Sequence, residues 1–412
     1  RTGKVSDNVE RLEVLLYDGT RMWVGATGPA ELQRIAAAGG RPAEVYRQLT
    51  ALVAANLERL RTGYPTIPRR VSGYNLDALL PERGLHLAEA LVGSEGTLVT
   101  VVRAELRLVP RLPATAMVVL GFDDIATAAD AVPAILAHRP TALEGIDALM
   151  LGFQRRKRLN PAALGHFPAG EGFLMVQFGG DDREEAAARA ATMLAALGRD
   201  HDGDDVTVFT DPAVERQVWQ VRESGVGATA RVPGLPDTWP GWEDSAVDPA
   251  RLGDYLRELR ALCERFDYRH ATVYGHFGHG CVHTRIPFDL VTPDGVAAYR
   301  SFMEQAADLV VRYGGSLSGE HGDGQQRGEL LTRMLGPELV GLFGQVKAIF
   351  DPGNRMNPGK VVDPGRLDGQ LRLGADYHHP APDTRFGYPH DDGDFGRAVL
   401  RCVGVGKCRG DH

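Results

Sequence analysis

Residues 115–122, TAMVVLGF, followed by residues 123–139, DDIATAADAVPAILAHR, decide the fold. The first is a short apolar run rich in β-formers, and the second spaces its apolar positions as a helix does. The pattern returns as GFLMVQFGG (172–180), DREEAAARAATMLAALG (182–198) and DVTVFT (205–210). Strand, helix and strand in this alternation predict an α+β layer, with helices packed on one face of a mostly antiparallel sheet.

Upstream, VERLEVLLYDGTRMWVGA (9–26) reads as two strands around a Tyr-Asp-Gly turn, and residues 31–61 carry apolar positions at helical spacing. LVGSEGTLVTVVRAELRLVP (91–110) is a glycine turn leading into a β-rich strand, and RLVPRLPA (107–114) marks a domain boundary. Downstream, residues 365–400 are rich in Pro, Asp, Gly and His without periodicity and read as a linker.

At 412 residues the chain has material for two or three domains and a buried site. With 43% hydrophobic and 24% charged residues it is neither disordered nor fibrous. Fifty glycines exceed the usual share of about 7% and suit tight turns and close backbone approach to a ligand. A net charge of −8 without a basic stripe argues against nucleic acid as a partner. No apolar run is long enough to span a bilayer, and a cytoplasmic protein, at most peripheral to a membrane and able to form a homo-oligomer, is expected. The four cysteines, at 263, 281, 402 and 408, are too few and too scattered for a disulfide framework and are expected to be thiols or ligands.

The chemistry concentrates in GHFGHGCVH (275–283). His276 and His283 are seven positions apart, so one continuous strand would point them to opposite faces. A hairpin turn at Gly278, His279 and Gly280 would set them nearly opposite one another across a ladder. That turn would leave His279 exposed, while Cys281 is expected in the core. Two imidazoles need a third ligand, usually a carboxylate, to hold a catalytic divalent metal with one position open. Glu320 in GGSLSGEHGDG (314–324) can supply it, which leaves its neighbour His321 free as a base.

Taken together, LVGSEGTLVTVVRAELRLVP, YGHFGHGCVH (274–283), GGSLSGEHGDGQQRGELL (314–331) and IFDPGNRMNPGKVV (349–362) resemble the FAD-linked oxidases of the vanillyl-alcohol oxidase type. Within them the chain is similar to the D-2-hydroxy-acid dehydrogenases that act on D-2-hydroxyglutarate, D-lactate or glycolate. RRVSGYNLDALLPERGLHLAEALVGSEGT (69–97) and RCVGVGKC (401–408) resemble the long members fused to an iron–sulfur domain. The resemblance implies an α+β fold in three parts: residues 1–112 as the C-terminal part of an FAD-binding domain, 113–364 as a mostly antiparallel, ferredoxin-like substrate or cap domain, and 365–412 as a linker and the start of a truncated iron–sulfur domain. It implies a fragment, with the glycine-rich loop for the FAD pyrophosphate upstream of residue 1 and weak hold on FAD.

It also implies roles. Gly93, Ser94, Glu95, Gly96 and Thr97 would form the turn whose backbone lies against FAD, with Asn357 and Lys360 in the loop returning to the flavin ring. His276, His283 and Glu320 would hold a divalent metal, zinc being the expected ion, and His321 would be the base. Arg222 in VWQVRESG (218–225) would hold a substrate carboxylate, a task that suits a planar guanidinium. Cys402 and Cys408 would be the first two thiolates of an iron–sulfur cluster that only the full-length protein completes. The small-molecule partner would be a 2-hydroxy acid, and the electron acceptor a quinone or a carrier protein. The family turn has Asp and Asn where His279 and Cys281 stand here, and TWPGWEDSAV (238–247) places Trp242 and Glu243 where a hydroxyglutarate-specific member has a lysine nearby. A metal-dependent hydrolase built on the same His, His, Glu set, or a non-catalytic fragment, are the alternatives.

Overall fold

A computed structural model describes residues 3–378, 382–400 and 402. Two antiparallel sheets organise it. The smaller has the order β2-β1-β3, with β1 (Val9–Leu15), β2 (Arg21–Gly25) and β3 (Thr100–Leu106). The turn between β1 and β2 is the one expected at Tyr-Asp-Gly, with Gly19 at φ 87°. The helical region that follows is three helices, Pro29–Ala38, Gly40–Ala55 and Leu57–Thr62.

The larger sheet runs β7-β4-β6-β5-β9-β10-β8. Its strands are β4 (Ala114–Phe122), β5 (Ala142–Asp147), β6 (Gly172–Gly180), β7 (Val206–Phe209), β8 (Asp244–Ala246), β9 (Thr272–Gly275) and β10 (Cys281–Arg285). β4 and β6 pair from Ala114 opposite Gly180 to Phe122 opposite Gly172.

The expected covering of one face is corrected: helices cover both. Val118, Leu120, Leu174 and Val176 face a core shared with the helices Arg183–Ala196 and Leu252–Arg265. Met117, Val119, Phe173 and Met175 face a second core shared with Ala148–Lys157 and Pro212–Glu223. The cause is legible in β4, whose uninterrupted AMVVL offers apolar side chains to both sides, so neither face can be left to water. The expected helix over 123–139 is two short ones, Ile125–Asp130 and Val132–Leu136. Pro133 has no N–H to continue the ladder, and Asp124 caps the first by accepting from Ala126 and Thr127 N–H at 2.7 and 2.9 Å.

Among the described residues of 365–400 the regular structure is the turn Pro389–Asp391 and the helix Phe395–Leu400. Its first part is nevertheless anchored: Leu367 is buried, and its N–H donates to Glu329 at 2.8 Å. Among the described residues no helix is long and apolar enough to cross a membrane.

Candidate active site

The site forms where the β5, β9, β10 and β8 end of the large sheet meets three loops. β9 ends at Gly275, and His276 opens a tight helical turn, Phe277–His279, before Gly280 reverses the chain into β10. Gly280 sits at φ 67°, and a Cβ there would run into the Val247 carbonyl, so the turn requires glycine. The expected opposition of the two histidines is corrected. His283 pairs with Tyr274, because the connection is longer than three residues and His276 lies outside the ladder. The two rings still meet, 5.5 Å apart and edge to face. His279 is half-buried rather than exposed, within hydrogen-bond reach of Arg69 Nε at 3.4 Å, and burial with that guanidinium pulls it down to about 4. Cys281 is fully buried, as expected, and burial holds its thiol well above its usual range.

Glu320 reaches this pair from the loop after residue 314. Its Oε1 is 2.9 Å from His283 Nε2 and its Oε2 is 3.3 Å from His276 Nε2. The ligand atoms of the three residues lie within 4.8 Å of one another. Two imidazole nitrogens and one carboxylate at such spacing are a donor set for a divalent ion, whose bonds to them run about 2.0–2.2 Å for zinc. Burial raises Glu320, but the hydrogen bonds and charges of the two histidines outweigh it and leave it well below the usual carboxylate range. Burial opposes protonation of both histidines. It prevails at His283, which is lowered, whereas the carboxylates of Glu144 and Glu320 prevail at His276, which is raised.

The loop is held from β8. Asp244, fully buried, accepts the backbone N–H of Glu320 at 2.9 Å and of His321 at 2.7 Å, and the Ser318 hydroxyl at 2.6 Å. Its other oxygen pairs with buried Arg327, and these partners overcome burial to bring it down to about 2. His321 stacks on His283 at 5.2 Å, its Nε2 is 3.6 Å from Glu320 Oε1, and its side chain is 42% exposed, so it is the imidazole of the group open to a ligand.

Glu95 ties this loop to the expected flavin-facing turn. Its carboxylate accepts N–H from Asp323 at 2.7 Å and Gly324 at 3.0 Å, and its carbonyl accepts from Asn357 Nδ2 at 2.8 Å. Lys347 donates to the carbonyls of Thr97 and Met356 and to Asp351 at 2.6–2.7 Å, which joins the turn 93–97 to the loop 357–360 again. Ser94 and Thr97 are buried, the Thr97 hydroxyl donating to the Ser94 carbonyl at 2.6 Å. Gly93 and Gly96 have φ of 81° and 67°, and a Cβ on either would point into open space. These side-chain-free positions let a planar ligand come close to backbone amides, so the turn fits the isoalloxazine edge of FAD. Lys360 completes the same loop and is half-buried.

Arg222 stands in the last turn of Pro212–Glu223. Its Nε donates to Glu144 Oε2 at 3.0 Å, and its guanidinium lies 4.9 Å over the Tyr274 ring. Glu144 stands in β5, and its Oε1 meets His276 Nδ1 at 2.8 Å. Trp242 is buried, with Nε1 donating to the Tyr255 hydroxyl at 3.2 Å, and Glu243 pairs with Arg285 at 2.8 Å. Cys402 is exposed and Cys408 lies outside the described residues.

Glu144, Asp244 and Arg69, which donates to Glu320 Oε2 at 3.1 Å, are absent from the sequence reading. The first had a signal: an acid inside the apolar strand ALEGID is rarely buried unless paired.

Residues 111–361 match the family of FAD linked oxidases, C-terminal domain, and the chain belongs to that family. It is 31% identical over 379 residues to a D-2-hydroxyglutarate dehydrogenase of Pseudomonas putida, covering 89% of this chain and 37% of that protein. It is 31% identical over 314 residues to a D-lactate dehydrogenase of Archaeoglobus fulgidus, covering 75% of this chain and 63% of that protein. The chain thus spans well under half the length of the first relative. In fold it is similar to a 4-ethylphenol oxidase from Gulosibacter chungangensis, with a TM-score of 0.53 at 10% identity over 87% of this chain and 66% of that one.

Proposed function

We propose that the protein, in its full-length form, oxidises a D-2-hydroxy acid such as D-2-hydroxyglutarate, D-lactate or glycolate to the 2-oxo acid. The observation that carries this is the convergence of His276, His283, Glu320 and His321 with the turn 93–97 and the loop 357–360, joined through Glu95. Gly93, Ser94, Glu95, Gly96, Thr97, Asn357 and Lys360 would hold the flavin end of FAD, and His276, His283 and Glu320 a divalent metal. When bound, FAD supplies the hydride acceptor and the metal the polarisation that lowers the substrate hydroxyl pKa. Arg222 orients the substrate by pairing its guanidinium with the carboxylate, and its position over Tyr274 limits the rotamers it can adopt. His321 takes the hydroxyl proton on a ring nitrogen, since its exposed face beside Glu320 is the one open imidazole surface of the cluster.

Anaerobic titration of the full-length, flavin-loaded protein tests this. D-lactate, D-2-hydroxyglutarate or glycolate is expected to bleach the flavin absorbance, and L-lactate to leave it. A flavin that dithionite bleaches but none of these acids does would sink the proposal.

A further inference from the structure

Glu144 is buried in the middle of the large sheet, and its two carboxylate oxygens serve two different residues. Oε1 meets His276 Nδ1 at 2.8 Å, and Oε2 accepts from Arg222 Nε at 3.0 Å. The strand pairing fixes this arrangement, since Gly145 lies opposite Gly275 in the short β5 and β9 ladder and so brings Glu144 beside the residue that follows Gly275. Gly145 is also required, because a Cβ there would collide with the Phe277 ring of the turn that carries His276. A carboxylate oxygen accepts, so His276 presents N–H at Nδ1 toward Glu144, and its Nε2, 3.3 Å from Glu320 Oε2, is left as the nitrogen that can give its lone pair to a cation lying between the two residues.

We propose that Glu144 is a positioning residue for the site: it fixes His276 as the Nδ1–H tautomer, with Nε2 turned to a divalent cation, and with its other oxygen sets Arg222 at a fixed distance from that cation. The metal ligand and the carboxylate-binding arginine therefore share one support. Only a carboxylate can do this. A glutamine has one oxygen and one NH2, so where Glu144 sets one oxygen toward His276 and the other toward Arg222 it must turn a donor NH2 to one of them. The inference rests on the metal reading made above.

Its test is zinc binding to the full chain, stripped of metal and titrated with Zn2+ against a chromophoric chelator, with the tautomer of His276 followed by long-range nitrogen NMR. Loss of an outer partner of a metal-bound histidine typically weakens binding about 10-fold to 100-fold. Glu144→Gln is expected to bind zinc weaker by about that factor, and its His276 to lose the single Nδ1–H signature, a change that lost packing alone does not produce. Wild-type zinc affinity and tautomer in a folded Glu144→Gln protein would overturn the inference and leave the proposed reaction standing. Wild-type protein that takes up no more zinc than Glu320→Ala overturns both together. Should Glu144→Gln not fold, Glu144→Asp replaces it: the shorter carboxylate keeps the charge but not the reach, so weaker zinc binding supports the role and unchanged binding overturns it.

Discussion

Asp244 Oδ2 accepts the backbone N–H of His321 at 2.7 Å, so an edge strand of the sheet directly holds the loop that carries the candidate base. The same oxygen takes the N–H of Glu320 at 2.9 Å, and the other oxygen pairs with Arg327, 5% exposed. Asp244→Asn keeps the volume but removes the charge that compensates a buried guanidinium. It is expected to cost about 3–5 kcal/mol of stability, the usual result of breaking one side of a buried pair. Urea unfolding measures it, and a loss below about 1 kcal/mol would show that Arg327 finds another partner.

Glu320 lies between His276 and His283 and contributes the negative charge of the donor set. Wild-type protein dialysed against zinc is expected to retain one ion per chain and Glu320→Ala to lose it, because two imidazoles leave the site one ligand short. Elemental analysis of both proteins decides the matter. Equal metal content in the two would remove Glu320 from the set.

Asp147, at the end of β5, accepts N–H from Met150 at 2.8 Å and Val273 at 2.7 Å, yet full burial outweighs both and pushes it up to about 6. Its pKa is raised on folding, so the native state binds the extra proton between about pH 4 and about pH 6. The stability this group contributes is therefore fully present below about pH 4 and is lost as pH rises through about 6. Comparison with Asp147→Asn at each pH cancels the other titrating groups. The stability of wild type relative to the variant is expected to fall by about 1–3 kcal/mol over that window, read from urea midpoints. A difference that does not change with pH would contradict the raised value.

How much of this is legible in the sequence follows from the range of each interaction. The strands at 115–122 and 172–180 announce themselves by composition, and Gly280 marks a turn that no other residue could make. Helices on both faces of the sheet differ from the one-sided expectation, although an unbroken apolar run already says that neither side meets water. His279 departs from expectation for a different reason: a histidine between two glycines looks solvent-borne until Arg69, distant in the chain, closes over it. Glu320 stands out because glycine and histidine flank it, whereas Glu144 and Asp244 act through partners that only the β5, β9, β10, β8 order brings near. Nothing local in RRVSG predicts that Arg69 reaches Glu320. Local pattern thus exposes the candidate ligands, and the groups packed around them depend on strand order.

His321 carries the sharpest expectation, and it applies to the full-length, flavin-loaded enzyme. Its ring stacks on His283 with its Nε2 3.6 Å from Glu320 Oε1, so a hydroxyl placed at the His276, His283 and Glu320 cluster lies within reach of it. Asp244 fixes its backbone and glycines flank the pair on both sides, which leaves the side chain to turn toward a substrate without moving the loop. An imidazole is the side chain suited to proton removal at neutral pH. Replacing it with asparagine keeps a comparable volume and leaves the three candidate metal ligands, the turn 93–97 and the loop 357–360 in place. The rate of flavin reduction by a D-2-hydroxy acid is then expected to fall about 100-fold to 10,000-fold, the usual worth of a positioned general base. Stopped-flow bleaching from acid to neutral pH reads it, with metal content and flavin occupancy measured on the same sample. His321→Asn protein that reduces its flavin at the wild-type rate with the wild-type pH profile would assign the proton to another group.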